Sequence, residues 1–168
     1  MAAKTEEKIE IRRFTEADAR EVSELIIRTL REVNIRDYSA GYIEDLARVL
    51  GPADIIKRAS RNHTYVACGE GRIAGCGAVG PFWDRTDESA LFTIFVLPEY
   101  QGRGIGRRIV ETLENDEFFR RAKRVEVAAS ITAAPFYLKL GYVYKNGVNG
   151  PDEEGLLRME KTADTKGQ

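Results

Sequence analysis

A-L-F-T-I-F-V-L-P-E-Y-Q-G-R-G-I-G-R-R-I-V-E-T-L-E, residues 90–114, is the stretch around which the chain is organised. Residues 90–97 are apolar except for Thr93 and rich in β-branched and aromatic side chains, the pattern of a strand buried on both faces. Pro98 ends that run. After a turn through Gln101-Gly102-Arg103-Gly104-Ile105-Gly106, the apolar residues Ile105, Ile109, Val110 and Leu113 recur at helical spacing. The segment therefore reads as strand, glycine-rich turn and helix.

Such an order creates an anion site, because a helix start leaves backbone N–H groups unpaired at the positive end of the helix dipole. Glycines at 102, 104 and 106 remove side chains that would keep a pyrophosphate from those groups. The Walker pattern G-x-x-x-x-G-K-[ST] is absent, and the dinucleotide pattern G-x-G-x-x-G fails because Arg107 stands where its third glycine belongs. The pattern that fits is Q-x-x-G-x-G, on Gln101, Gly104 and Gly106.

V-L-P-E-Y-Q-G-R-G-I-G resembles the acyl-CoA pyrophosphate loop of the GNAT superfamily of N-acetyltransferases. A second block, A-A-P-F-Y-L-K-L-G-Y at 133–142, resembles that family's A-x-x-F-Y-x-K-L-G-[FY] segment, in the right order and at about the right distance. The resemblance covers residues 73–144 and implies an α/β (α+β) fold: a mixed, twisted, mostly antiparallel sheet of about six to seven strands with about four flanking helices. It also implies acetyl-CoA as co-substrate, no metal, and direct acetyl transfer to a primary amine of a small molecule or peptide. A homodimer is common among such proteins.

The resemblance assigns residues to roles. The pantetheine arm would lie along Ile94, Phe95, Val96 and Leu97 like an added strand, and one backbone N–H there would polarise the thioester carbonyl. The pyrophosphate would take the turn formed by Gln101, Gly102, Arg103, Gly104, Ile105, Gly106 and Arg107. Tyr137 matches the tyrosine used as general acid toward the departing thiolate, a task open to a phenol of ordinary pKa about 10. An alkyl ammonium near pKa 10.4 is mostly protonated at neutral pH, and freeing the nitrogen costs roughly 4 kcal/mol, so a base is expected. Glu126, in a run E-V-A-A-S resembling the ribosomal-protein N-terminal acetyltransferases, is one candidate. Past Ser130 the chain departs from them, with Ile131-Thr132 where an asparagine is usual. Glu88, beside the central strand, is the other candidate.

The remaining sequence narrows the class. At 168 residues the chain suits one domain, with loose polar ends at about 1–7 and 162–168, and buries about two-thirds of its unfolded surface without a metal or disulfide. A formal net charge of −1 gives no pull toward nucleic acid or anionic membrane. The basic run Arg120, Arg121, Lys123, Arg124 reads as a solvated helix end. No stretch reaches the ~20 apolar residues of a membrane span. The start M-A-A-K-T-E-E-K lacks the apolar core of a signal peptide, and Cys68 and Cys76, on opposite faces of a hairpin, read as free thiols of a cytoplasmic protein.

His63, the only histidine, reads as a surface residue at a strand start; a Ser/His/Asp or Cys/His mechanism and a histidine-bound zinc therefore lack partners. Around the central stretch, strands are expected at 9–14, 63–68, 72–79, 124–129, 142–144 and 156–160. Helices are expected after Thr15, after Ser39, from Pro52 and at 133–140. Residues 80–89 read as a loop, either a solvated turn with Trp83 tucked against the sheet or a place where Trp83 and the carboxylates suit an ammonium. Arg36, Asp37, Tyr38 and Tyr42 would line the acceptor side by the same resemblance. A module that binds acyl-CoA without catalysis would share the loop but need no Tyr137.

Overall fold

The computed structural model describes residues 8–163. Seven strands form one sheet: β1 (Glu10–Arg13), β2 (His63–Gly69), β3 (Arg72–Pro81), β4 (Glu88–Val96), β5 (Arg124–Ala129), β6 (Val143–Tyr144) and β7 (Leu157–Thr162). Their spatial order is β1-β2-β3-β4-β5-β7-β6. Every neighbouring pair is antiparallel except β4–β5. Parallel neighbours need a long crossover, and the segment between these two carries helices α4 (Ile105–Glu114) and α5 (Glu117–Arg120). Helices α1 (Ala19–Glu32), α2 (Ala40–Arg48) and α3 (Pro52–Ala59) lie between β1 and β2, and α6 (Ala134–Lys139) between β5 and β6.

Alternation along β3 separates the two helical layers. Gly75 and Gly77 face Ile109 of α4, whereas Cys76 and Ala78 share a small void with Val22 and Ile26 of α1 and Ile55 of α3. Helix α1 buries Val22, Leu25, Ile26, Thr29 and Leu30, the three-and-four spacing of one face. Its two buried hydroxyls are satisfied by carbonyls, Thr29 donating to Leu25 O at 2.8 Å and Ser23 to Leu50 O at 2.7 Å. The second bond ties α1 to the chain just beyond α2.

The join between β1 and α1 is electrostatic. Both oxygens of Asp18 accept from the Arg12 guanidinium, at 2.8 and 2.9 Å, and the Thr15 backbone N–H adds a third bond at 2.8 Å. Thr15 and Asp18 thus pair as a capping box, and a 3-10 turn at Glu16–Asp18 precedes α1.

Several boundaries differ from the sequence reading. Strand β3 runs on to Pro81 and β4 begins at Glu88, which leaves only residues 82–87 as loop and puts Glu88 in the sheet. After α4 a further short helix follows. Asp116 accepts from Phe118 N–H and caps α5, burying Phe119. Helix α5 is the addition to the expected set, and the described residues carry six α-helices in all. Of the expected loose ends, Thr162 belongs to β7 and Ala163 to the turn after it, and the rest lie outside the described residues.

Two predictions follow from these contacts. A Cβ at Gly77 would stand 2.7 Å from Ile109 Cγ2. Gly77→Ala is therefore expected to lower unfolding free energy by about 1–3 kcal/mol in urea titrations, because α4 must back away. The Arg12 hydrogen bonds hold the Asp18 carboxyl down at about 2, against an ordinary 3.8. A depressed carboxylate stabilises the native state fully above the unfolded value and loses that contribution as pH falls through the folded one. Asp18→Asn should therefore cost about 1–2 kcal/mol at pH 7, with wild type and variant converging between about pH 4 and pH 2 in melts.

Candidate active site

Strands β4 and β5 pair only from Glu88 to Leu91 against Arg124 to Val127. Beyond Leu91, β4 keeps its ladder with β3 while β5 keeps its ladder with β7. The parting coincides with a bulge, where Cys76 opposes Phe95 and Ala78 opposes Phe92, so that Gly77 faces both Thr93 and Ile94. Thr93 takes a φ of 46°, a strained value for a β-branched residue, and its carbonyl accepts from the Cys76 thiol at 3.2 Å. The outcome is a central strand whose second half, Phe92 to Val96, is only half-buried.

The gap opens into a cleft of about 690 Å³. Ile94, Phe95 and Val96 line it. Leu97 does not: it is buried in the core and its N–H donates to Ala74 O at 2.8 Å. Gln101 donates from Nε2 to Val96 O at 3.0 Å, which braces the turn against the strand.

The turn leads into α4 through Gly102 (φ 75°) and Gly104 (φ 78°), both left-handed. A Cβ on either would meet no atom within 4 Å, so glycine here serves conformation and open approach rather than packing. Gly104 is the residue just before α4, so the N–H groups from Gly104 to Arg107 precede the first carbonyl the helix offers them. Gln101, Gly102, Gly104, Ile105, Gly106 and Arg107 all line the cleft, whereas Arg103 turns its guanidinium over the Tyr100 ring at 5.1 Å.

On the far side α6 carries Tyr137 into the lining, with its ring edge-on to Phe136 and Tyr142 at 5.0 and 5.7 Å. Burial raises its phenol well above the ordinary value, which keeps the hydroxyl protonated. The wall from α1 to α2 brings Asp37, Tyr38 and Tyr42 to the same cleft, but not Arg36. Asp37 accepts from the Thr132 hydroxyl at 2.7 Å and from its N–H at 3.1 Å. This bond pair spans the cleft between the chain before α2 and the loop after β5. Sequence reading missed it, along with the Thr93 bulge, since nothing local in the chain marks either one.

The two carboxylates considered as bases lie elsewhere. Glu126 is 3% exposed, accepts from Arg124 at 2.7 Å, and pairs with Lys145 at 2.8 Å. Burial by itself would raise its carboxyl, but Lys145 and Arg124 prevail and hold it below the ordinary range. Glu88 meets the same Arg124 at 3.2 Å, and Glu160 does so at 3.0 Å. Neither Glu88 nor Glu126 lines the cleft. Trp83, in the loop between β3 and β4, is 83% exposed and away from it as well. His63 is half-buried, bonded through Nδ1 to Asp116 at 2.8 Å, and Tyr65 donates to the same carboxylate at 2.6 Å. Among the described residues no group of His, Cys, Asp and Glu could hold a metal, and no helix is long and apolar enough to cross a membrane.

Solved structures with this architecture are numerous. PaiA N-acetyltransferase from Thermoplasma acidophilum, crystallised with coenzyme A, superposes with a TM-score of 0.76 over 92% of this chain and 99% of its own, at 18% identity. A GCN5-related N-acetyltransferase from Rhodopseudomonas palustris gives 0.74 at 25% identity, over 91% and 94%. A GNAT family acetyltransferase from Brucella melitensis, in complex with acetyl-CoA, gives 0.66 at 20% identity, over 93% and 88%. No curated protein sequence matches the chain. The family model of the acetyltransferase (GNAT) domain matches residues 60–144, from the start of the β2 hairpin through the glycine turn to β6. With half the chain matched and the sheet, turn and cleft in place around it, the protein belongs to the GNAT acetyltransferase family.

Proposed function

We propose that the protein transfers an acetyl group from acetyl-CoA directly to a primary amine. The observation that carries this reading is the parting of β4 from β5 beside the glycine turn, which leaves a strand-wide slot leading to unpaired N–H groups at the start of α4. A pantetheine arm fits such a slot by hydrogen-bonding like a missing strand, and a pyrophosphate fits the helix start. The coenzyme A and acetyl-CoA complexes of two similar structures support it.

In this reading the chain's own groups divide the work. Exposed backbone N–H groups near the Thr93 bulge polarise the thioester carbonyl as negative charge develops on its oxygen. The neutral amine attacks, the N–C bond forms and the C–S bond breaks. The thiolate takes a proton from Tyr137 and the nitrogen sheds one, so that an incoming ammonium releases one proton overall. A phenol raised by burial is a weaker acid in water, but the same dry surroundings also raise the basicity of the thiolate it faces. Glu126 and Glu88, both tied to Arg124, are better suited to holding β4, β5 and β7 together than to accepting the amine's proton. Leu97 and Arg103 contribute through packing and ring contact rather than by touching the coenzyme.

The direct test is thiol release from acetyl-CoA with a panel of amines, together with acetyl-CoA binding by calorimetry. Gly104→Asp is expected to weaken acetyl-CoA binding by at least about 10-fold, since it sets a negative charge and a strained φ at the pyrophosphate site. Tyr137→Phe should lower kcat by roughly 100-fold and leave acetyl-CoA affinity within about 3-fold. Wild-type turnover in Tyr137→Phe would remove that residue from the acid role. Tight acetyl-CoA binding with no thiol release from any amine would favour a coenzyme-binding module instead.

A further inference from the structure

Beside Asp37 the acceptor side of the cleft is built for a particular chemistry. Tyr38 and Tyr42 hold their rings 4.9 Å apart at a tilt of 39°. Leu30, Leu46 and Phe92 extend that surface, so the wall is mostly apolar and aromatic. Asp37 is the one carboxylate among the described residues lining the cleft, and the lining cations, Arg107 and Lys139, belong to α4 and α6 rather than to this wall.

The carboxylate is also fixed in place. Oδ1 of Asp37 accepts from the Thr132 hydroxyl and Oδ2 from the Thr132 N–H. An ionised carboxylate offers about four lone-pair directions, so each oxygen retains one for a further donor. A second observation comes from Tyr38, whose hydroxyl is buried with no hydrogen-bond partner among the described residues. An unsatisfied buried hydroxyl is destabilising, and an ammonium N–H brought to its oxygen would relieve that cost.

Resting on the acetyl-transfer reading, we infer that the acceptor is a primary monoamine with a flat apolar body, an arylalkylamine. Its ammonium is first held by Asp37 at the edge of the Tyr38 and Tyr42 rings, and its body lies on Phe92, Leu30 and Leu46. Aromatic faces attract cations and also accept flat apolar groups, so one wall serves both ends of such a molecule. A polyamine brings two or more cations and no flat body for the rings, and the further carboxylates within electrostatic reach of Tyr42, Asp152 and Glu154, are already paired with Arg158, at 2.8 and 3.8 Å. An α-amino acid brings a carboxylate next to which Asp37 stands as a like charge, while Arg158, the cation within electrostatic reach of Tyr42, is already bonded to Asp152 at 2.8 Å. Before attack the held ammonium gives up one proton to solvent.

The experiment is calorimetric titration of the coenzyme A-saturated protein with 2-phenylethylamine, spermidine and L-phenylalanine, in wild type and Asp37→Asn. Asparagine keeps both bonds to Thr132, accepting from its N–H and donating to its hydroxyl, so the wall stays in place while the charge is removed. The expected result is that 2-phenylethylamine binds tightest of the three and weakens by at least about 10-fold in Asp37→Asn, the size expected for one charge-assisted bond. Tighter binding of spermidine or L-phenylalanine would overturn the assignment, as would no binding of 2-phenylethylamine or an Asp37→Asn variant that binds it like wild type. Thiol release run alongside separates the two claims. Release with spermidine alone would overturn the acceptor class while keeping acetyl transfer; binding of 2-phenylethylamine without release from any amine would keep the amine site and remove the transfer.

Discussion

Everything distinctive about this molecule depends on two neighbouring parallel strands that stop pairing halfway. A buried backbone group must find a hydrogen-bond partner, so a sheet that opens in its middle needs either solvent or a guest in the gap. Here β4 and β5 separate after Leu91 and Val127, and the groups released face a cleft rather than the core. The bulge at Thr93 bends β4 away at this point, and its strain is held by a ladder with β3 on both sides and by the Cys76 thiol on its carbonyl.

The packing around the gap keeps it from closing. On one face α4 sits close to β3 because Gly75 and Gly77 present no side chain to Ile109, which brings the start of the helix to the level of the opened strand. On the same strands, farther from the gap, Arg124 gathers Glu88, Glu126 and Glu160 from three strands, and Lys145 joins Glu126 from the chain after β6. A buried network of this kind stabilises little relative to apolar packing, but it fixes register, and a slip between β5 and β7 would leave charges buried without partners. The strands are clamped at one end and free at the other. Across the free end, Asp37 and Thr132 span the opening with two hydrogen bonds between segments 95 residues apart in the chain.

The glycine turn and the block at 133–142 were legible because their chemistry is local: a turn needs its φ values, and a helix needs its spacing, within a few residues. Gln101, Gly102, Gly104, Ile105, Gly106, Arg107 and Tyr137 accordingly all reach the cleft. Glu88 and Glu126 fared differently. Their place beside the central stretch was readable, yet whether a strand side chain meets a cleft or a cation depends on its neighbours across the sheet. For Glu126 those neighbours are Ala90 and Glu160, and what claims it is Arg124 from its own strand and Lys145 from beyond it. Leu97 was one residue too far along, since the strand had already turned its N–H to Ala74.

By itself, then, the sequence determined the order of elements, the anion-binding turn, the tyrosine on α6 and the family they mark, because each is written in residues close together along the chain. The tertiary structure alone decided that β4 and β5 part, that Thr93 bears the bulge, that the carboxylates of β4 and β5 are spent on Arg124, and that Asp37 faces the cleft. Those outcomes are set by hydrogen-bond registers and ion pairs between segments tens of residues apart, and a register is a property of two strands together that neither one carries alone.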